Sequence, residues 1–314
     1  MGEDAPDRPK VLVGVDGSST AWAALDWAAA QADRRDLALV VVYALSVPLA
    51  RTANTEVLRL PPSDMAVTHG ELVLAEAAGH VRGHWPTGQV GTALALEKPA
   101  VALTLRAGPT DLIVVGSRGL GALGSAFLGS TSVRLAARAP CPVVVVHGTH
   151  GTSARTRPQR IVVGVDGSEC SRRALSFALE QAAGAVDASL VVVNSIESPT
   201  PFAAQSLVAM SGQAPDRWPE HLARDLVADM IEQAGADTAD NVDVSVVCTR
   251  QPPADALLTE GAEADLVVLG SRGRGGLRGL FLGSVSQSVL HRARVPVAVV
   301  PHHGVHEADT DDQA

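Results

Sequence analysis

Two stretches of the chain carry residue types and a spacing suited to binding anions. Residues 116–130 read GSRGLGALGSAFLGS, and residues 270–284 read GSRGRGGLRGLFLGS. Both fit Gly-x2-Gly-x9-Gly-Ser, with Gly116, Gly119, Gly129 and Ser130 in the first and Gly270, Gly273, Gly283 and Ser284 in the second. Glycine lets backbone approach a ligand closely. Successive N–H groups in such a loop cradle an anion. The helix expected to follow adds unpaired N–H donors and a partial positive charge at its start. Ser130 and Ser284 can either cap that helix or offer a hydroxyl to a phosphate. Arg118 and Arg272, between the first two glycines, add a cation. The second loop also holds Arg274 and Arg278, which predicts that it grips its ligand more tightly.

Other phosphate motifs fit less well. Gly119, Gly121 and Gly124 satisfy GxGxxG, but in dinucleotide enzymes that turn follows the first strand. Here it follows the fourth, and the second copy has Arg278 where the third glycine would stand. There is no GxxxxGK[ST], which excludes a P-loop ATPase. Neither loop contains Asp, Glu, Gln or His. Phosphoryl transfer needs a base or water-orienting group and usually a metal-holding carboxylate, so the loops read as a cradle without evident chemistry. The carboxylates that could join them stand elsewhere, in VGVDGS, as Asp16 and Asp166. Asp-Gly-Ser also suits a tight turn and a helix cap.

The elements that must position these residues occur twice. VLVGVDGSSTAWAALDWAAAQA begins at Val11 and IVVGVDGSECSRRALSFALEQA at Ile161; TDLIVVGSRG begins at Thr110 and ADLVVLGSRG at Ala264. Matched blocks in the same order mark an internal duplication. The polar join HGTHGTSARTRPQR places a linker at 151–158 between domains at 10–150 and 159–302, with a flexible start at 1–9 and an acidic, disordered tail at 303–314. Continuous apolar runs predict five strands per copy. In the first they cover Val11–Val15, Leu37–Ala44, Val90–Leu96, Leu112–Val115 and Pro142–Val146, with a helix around Gly70–Val81. The second repeats them at Ile161–Val165, Leu190–Val193, Val242–Val247, Leu266–Leu269 and Val297–Val300. Such runs alternating with helices predict an α/β fold: two tandem Rossmann-like domains, each a five-stranded parallel sheet with helices on both faces. Ligands of such sheets bind beyond the strand C-termini where the strand order reverses. If strands one and four are neighbours, the VGVDGS carboxylate and the glycine loop face one crevice.

Composition narrows the function classes. The chain has 46% apolar residues but only 3% aromatic, the Val/Leu/Ala palette of a covered parallel sheet. A net charge of −9 without a long basic run argues against nucleic acid. Cys141, Cys170 and Cys248 form no CxxC and suit a reducing cytoplasm. No apolar run approaches a membrane span, and MGEDAPDRPK lacks the apolar core of a signal peptide. His302 and His303 look like a metal pair but stand without further ligands, so no metal site is expected.

The twin Gly-x2-Gly-x9-Gly-Ser loops, each paired with a VGVDGS turn, resemble the ATP-binding class of the universal stress protein family in its tandem bacterial form. The resemblance covers nearly the whole chain. It implies ATP as ligand, with Mg²⁺ able to accompany the triphosphate without protein ligands. It implies that Asp16 and Asp166 lie beside adenine and ribose, and that Ala44 and Ser195 meet adenine through backbone. Gly14, Val15, Gly116, Arg118, Gly119, Gly129, Ser130, Thr131 and Ser132 would complete the first site. Gly164, Val165, Gly270, Arg272, Gly273, Gly283, Ser284, Val285 and Ser286 would complete the second. It further implies a cytoplasmic stress or regulatory protein rather than an enzyme, with little or no hydrolysis and a protein partner the sequence does not name. Pairing of the two halves with each other, and homodimers, are also implied. The alternative is a slow ATPase or nucleotide-using enzyme on the same fold.

Overall fold

The computed structural model describes residues 8–46, 49–51, 57–59, 62–119, 128–148, 159–185, 187–195, 218–239, 242–273 and 282–302. The expected linker at 151–158 and tail at 303–314 lie outside them, as do Arg274, Arg278 and His303. The chain divides into two compact units, one for each copy of the repeat.

In the first unit the elements run β1 (Lys10–Val15), α1 (Ser19–Arg35), β2 (Ala38–Ala44), β3 (Leu49–Arg51), β4 (Val57–Arg59) and α2 (Asp64–His84). Then come β5 (Val90–Ala95), α3 (Pro99–Thr104), β6 (Leu112–Gly116), α4 (Ser130–Arg138) and β7 (Val143–Val146). Strands pair in the order β5-β2-β1-β6-β7, all parallel. β3 and β4 form a separate antiparallel pair that apolar patterning did not predict, since three-residue strands are too short to carry a period. The helix expected around Gly70–Val81 starts earlier and ends later. Ser63 caps it by accepting the Ala66 N–H, and Asp64 in its first turn complements the dipole.

The second unit repeats the plan: β8 (Arg160–Val165), α5 (Glu169–Ala183), β9 (Ser189–Ser195), α6 (Trp218–Ala239), β10 (Asp243–Thr249) and α7 (Pro253–Glu260). A short 3-10 turn, β11 (Leu266–Gly270), α8 (Ser284–Arg292) and β12 (Val297–Val300) complete it. Its strand order is β10-β9-β8-β11-β12, again parallel.

The strands read as unbroken apolar runs because helices cover both faces. Val11, Leu12, Val13, Ile113, Val114 and Val144 are fully buried. β1 and β6 lie side by side, with Val11 opposite Leu112 and Gly14 opposite Val115. Asp111 staples their start. It is buried, accepts the Lys10 N–H at 2.9 Å and the Gly108 N–H at 2.8 Å, and pairs with the Lys10 ammonium at 3.2 Å. Asp265 repeats the staple, accepting the Arg160 N–H at 2.9 Å. The reversal of strand order therefore falls between the first and fourth strands of each unit. No helix among the described residues is long and apolar enough to cross a membrane.

Candidate functional site

Beyond the C-terminal ends of β1, β2 and β6 lies a cavity of about 480 Å³. Asp16, at the end of β1, and Gly119, after β6, meet on its wall. So do Gly14, Val15, Ala44, Gly116, Arg118, Gly129, Ser130, Thr131 and Ser132. Thus every first-copy residue singled out from the sequence lines one cavity. Sequence reasoning missed its apolar part, made by Ala21, Val42, Pro99, Leu103, Val115 and Leu128. The strand order held the signal for two of these. α3 joins edge strand β5 to central β6 and so passes the crevice, where Pro99 and Leu103 cover it.

Close contacts fix the loop against the end of β1. A Cβ on Gly119 would stand 2.5 Å from Asp16 Oδ2, so only glycine lets the loop touch that carboxylate. Asp16 Oδ1 accepts the Ser18 N–H at 2.9 Å. A Cβ on Gly116 would meet the Thr20 carbonyl carbon at 2.7 Å. The Thr20 hydroxyl donates to the Arg118 carbonyl at 2.5 Å, and the Gly129 N–H donates to the Ser117 carbonyl at 2.8 Å. The start of the loop is thereby tied to α1, and its two ends to each other. Burial pushes the Tyr43 phenol above its ordinary pKa, and the negative charge of Asp16 adds to the shift.

The start of α4 lines the same cavity. Its cap is Gly129, which has no side chain to satisfy the first N–H groups. Ser130 is thus the first helical residue and its hydroxyl does not cap. Ser132 is buried and donates to the Gly116 carbonyl at 2.9 Å, so its proton is committed to the fold. The cavity therefore offers a carboxylate, an uncapped helix N-terminus, glycine backbone and apolar side chains in one lining.

The model of the universal stress protein family matches residues 8–147 and again residues 158–301. The chain belongs to the universal stress protein family. A universal stress protein of Mycobacterium tuberculosis is 34% identical over 302 residues, spanning 92% of this chain and 96% of the relative. One from Mycolicibacterium smegmatis is 33% identical over 308 residues, with 92% and 96% covered. The crystal structure of a universal stress protein from Archaeoglobus fulgidus shares the fold, with a TM-score of 0.62 at 20% identity, covering 93% of this chain and 96% of that one.

The second universal stress protein domain rebuilds the same end of the sheet. Asp166 Oδ1 accepts the Ser168 N–H at 2.9 Å, and a Cβ on Gly273 would stand 2.5 Å from Asp166 Oδ2. The Gly283 N–H donates to the Ser271 carbonyl at 2.8 Å, and Ser286 donates to the Gly270 carbonyl at 2.7 Å. α8 starts on an uncapped Gly283 with Ser284 and Val285 in its first turn. Gly164 and Val165 end β8 as Gly14 and Val15 end β1, and Arg272 holds the place of Arg118.

Several substitutions separate the copies. Cys170 replaces Thr20; it is buried against Gly270, and its Sγ lies 3.4 Å from His302 Nδ1. Asn194 replaces Tyr43 and donates to the Val165 carbonyl at 2.8 Å. Ser195 replaces Ala44, and its hydroxyl donates to the Gln251 carbonyl at 2.6 Å. Among the described residues no cluster of three or more His, Cys, Asp or Glu could hold a metal ion.

Proposed function

We propose that each domain binds one adenine nucleotide, ATP, and that the protein acts as a nucleotide-dependent stress or regulatory protein rather than an enzyme. One observation carries the reading: a single cavity joins the Asp16 carboxylate to the uncapped start of α4. A carboxylate suits ribose hydroxyls, which it accepts from. An uncapped helix N-terminus with glycine backbone suits phosphates. The apolar wall of Val42, Leu103 and Val115 suits a flat base. A volume of about 480 Å³ falls in the range of small-molecule and cofactor sites.

Asp16 is the sole carboxylate among the described residues lining the cavity, and this reading sets it beside the ribose. No described residue lining the phosphate end offers a general base, so the nucleotide is held with little or no hydrolysis. Mg²⁺ would ride on the phosphate oxygens, because the donor set includes no second carboxylate to hold it. ATP then acts by stabilising the conformation that binds it better, and a protein partner reads that conformation. Three free cysteines suit a reducing cytoplasm.

The test is to denature freshly purified protein and quantify the adenine nucleotide released per chain. About two ATP are expected, and Asp16→Ala and Asp166→Ala should each remove about one. Release of ADP on a time course in added ATP would favour the slow ATPase instead. No nucleotide, with no thermal shift on adding ATP, would overturn the reading.

A further inference from the structure

The sheet of the first unit ends on β5, and among the described residues no strand lies beyond it. The Leu39 N–H donates to the Gln89 carbonyl at 2.9 Å and the Leu45 N–H to the Ala95 carbonyl at 2.7 Å. Backbone groups alternate along a parallel strand, so Gln89, Gly91, Ala93 and Ala95 face β2 while Val90, Thr92 and Leu94 point away from it. A row of outward groups is a template for another strand, and proteins guard it with charge or proline. Residues 88–96 read GQVGTALAL and contain neither. On the matching edge of the second unit, Asp243 and Arg250 hold the places of Gln89 and Leu96. Gly91, Thr92 and Leu96 are exposed.

Above this edge α2 carries a self-complementary face. Arg82 donates to the Val90 carbonyl at 3.0 Å, which sets its side of α2 over the strand edge. His80, on the other side, bonds to Asp26 of α1 at 2.6 Å. Helical spacing puts Asp64, Glu71, Ala75 and Ala78 in one row with Arg82. The row is acidic in its first half, small in the middle and basic at its end, so turned end for end it matches itself. We propose that this edge joins two copies of the chain, with β5 pairing antiparallel to β5 of a second copy about a two-fold axis at Thr92. Thr92 exchanges hydrogen bonds with Thr92 of the second copy, and Val90 with Leu94 of the second copy. α2 packs on both β2 and β5. Neighbouring strands lie about 4.8 Å apart, so the pairing sets α2 about 10 Å from its copy, an ordinary packing distance for two helices. Ala75 and Ala78 permit that approach. Arg82 of each copy moves from its own Val90 carbonyl to the Asp64 and Glu71 carboxylates of the other. The two-fold symmetry closes the assembly at two chains and covers both β5 edges.

Sedimentation velocity of the full chain over a range of concentrations tests the proposal, with thermal unfolding as the check on folding. The unmodified chain should sediment as a dimer. Thr92→Pro removes an N–H that β2 does not use, so the edge strand keeps its place in the sheet and loses its pairing. Dimer affinity should then fall about tenfold or more. Arg82→Glu and Glu71→Arg each set like charges against one another in the dimer, and each should weaken it about tenfold. Mixing those two variants restores both opposite-charge contacts. They should form a heterodimer at concentrations where each alone is a monomer. Val246→Pro, at the matching position on the edge of the second unit, should leave the dimer unchanged. An unmodified chain that stays monomeric at every concentration would overturn the proposal. So would a dimer that survives Thr92→Pro and Arg82→Glu, a dimer lost in folded Val246→Pro, or no heterodimer from the two folded charge variants.

Discussion

Two glycines three residues apart, Gly116 and Gly119, should fail in opposite ways when each is changed to alanine. A Cβ on Gly116 would lie 2.7 Å from the Thr20 carbonyl carbon and 2.8 Å from its oxygen, where ordinary contact is 3.4–4 Å. Those atoms belong to the backbone of α1, which packs on the sheet and cannot yield alone. Gly116→Ala therefore overpacks the core and should cost about 1–3 kcal/mol. A Cβ on Gly119 would lie 2.5 Å from Asp16 Oδ2, an atom at the tip of a side chain that can rotate. Turning that carboxylate aside costs about 1 kcal/mol. The same turn removes the acceptor proposed for the ribose, a loss of about ten- to a hundredfold in affinity. The assay is thermal unfolding of both variants beside ATP titration, each in an Asp166→Ala background so that the first site alone is read. Gly116→Ala should lower the melting midpoint by several degrees, and Gly119→Ala should melt near the parent while binding ATP poorly. Equal destabilisation by the two variants, or Gly119→Ala binding ATP within twofold of the parent, would refute the argument.

Other outcomes follow from the buried polar groups. Asp111→Ala removes the buried carboxylate that accepts the Lys10 and Gly108 N–H groups and pairs with the Lys10 ammonium, and should destabilise the first unit by about 2–4 kcal/mol, measured by urea unfolding. Cys141 is fully buried, and burial, aided by the nearby Asp111 charge, pushes its thiol up to about 12. In the folded protein it should resist alkylation at pH 8 while half-buried Cys248 reacts first, read by mass spectrometry of labelled peptides. The unfolded chain ionises this thiol near its ordinary value of 9, before the folded chain does, so stability should fall as pH rises from about 9 to about 12. Cys141→Ala should lessen that alkaline loss in urea midpoints compared across the range.

Local pattern carried much of this protein. The Val-rich strands, the doubling of the chain and the twin glycine loops are short-range signals, legible because a parallel strand buried on both faces must be apolar throughout. Asp16, Gly119 and the start of α4 could be assigned to one crevice once strands one and four were taken as neighbours, and β1 does pair with β6. The little β3–β4 pair and the full length of α2 were not legible, since three-residue strands have no period and the ends of α2 depend on its cap.

What no linear pattern could decide is which partner each polar or apolar group finds across the fold. Thr20 reaches the carbonyl of Arg118, Lys10 reaches Asp111, and Leu103 closes the cavity over β1 and β2. The three hydroxyls of Ser130, Thr131 and Ser132 look alike in sequence; packing commits the last to Gly116 and leaves Thr131 at the cavity. Residue type and spacing determined that a glycine-rich segment would follow the fourth sheet strand of each copy and lead into a helix. Only the tertiary structure decided which of its atoms remain available to a ligand, because hydrogen-bond partners and steric contacts are set by groups that lie far apart along the chain and meet when the sheet assembles.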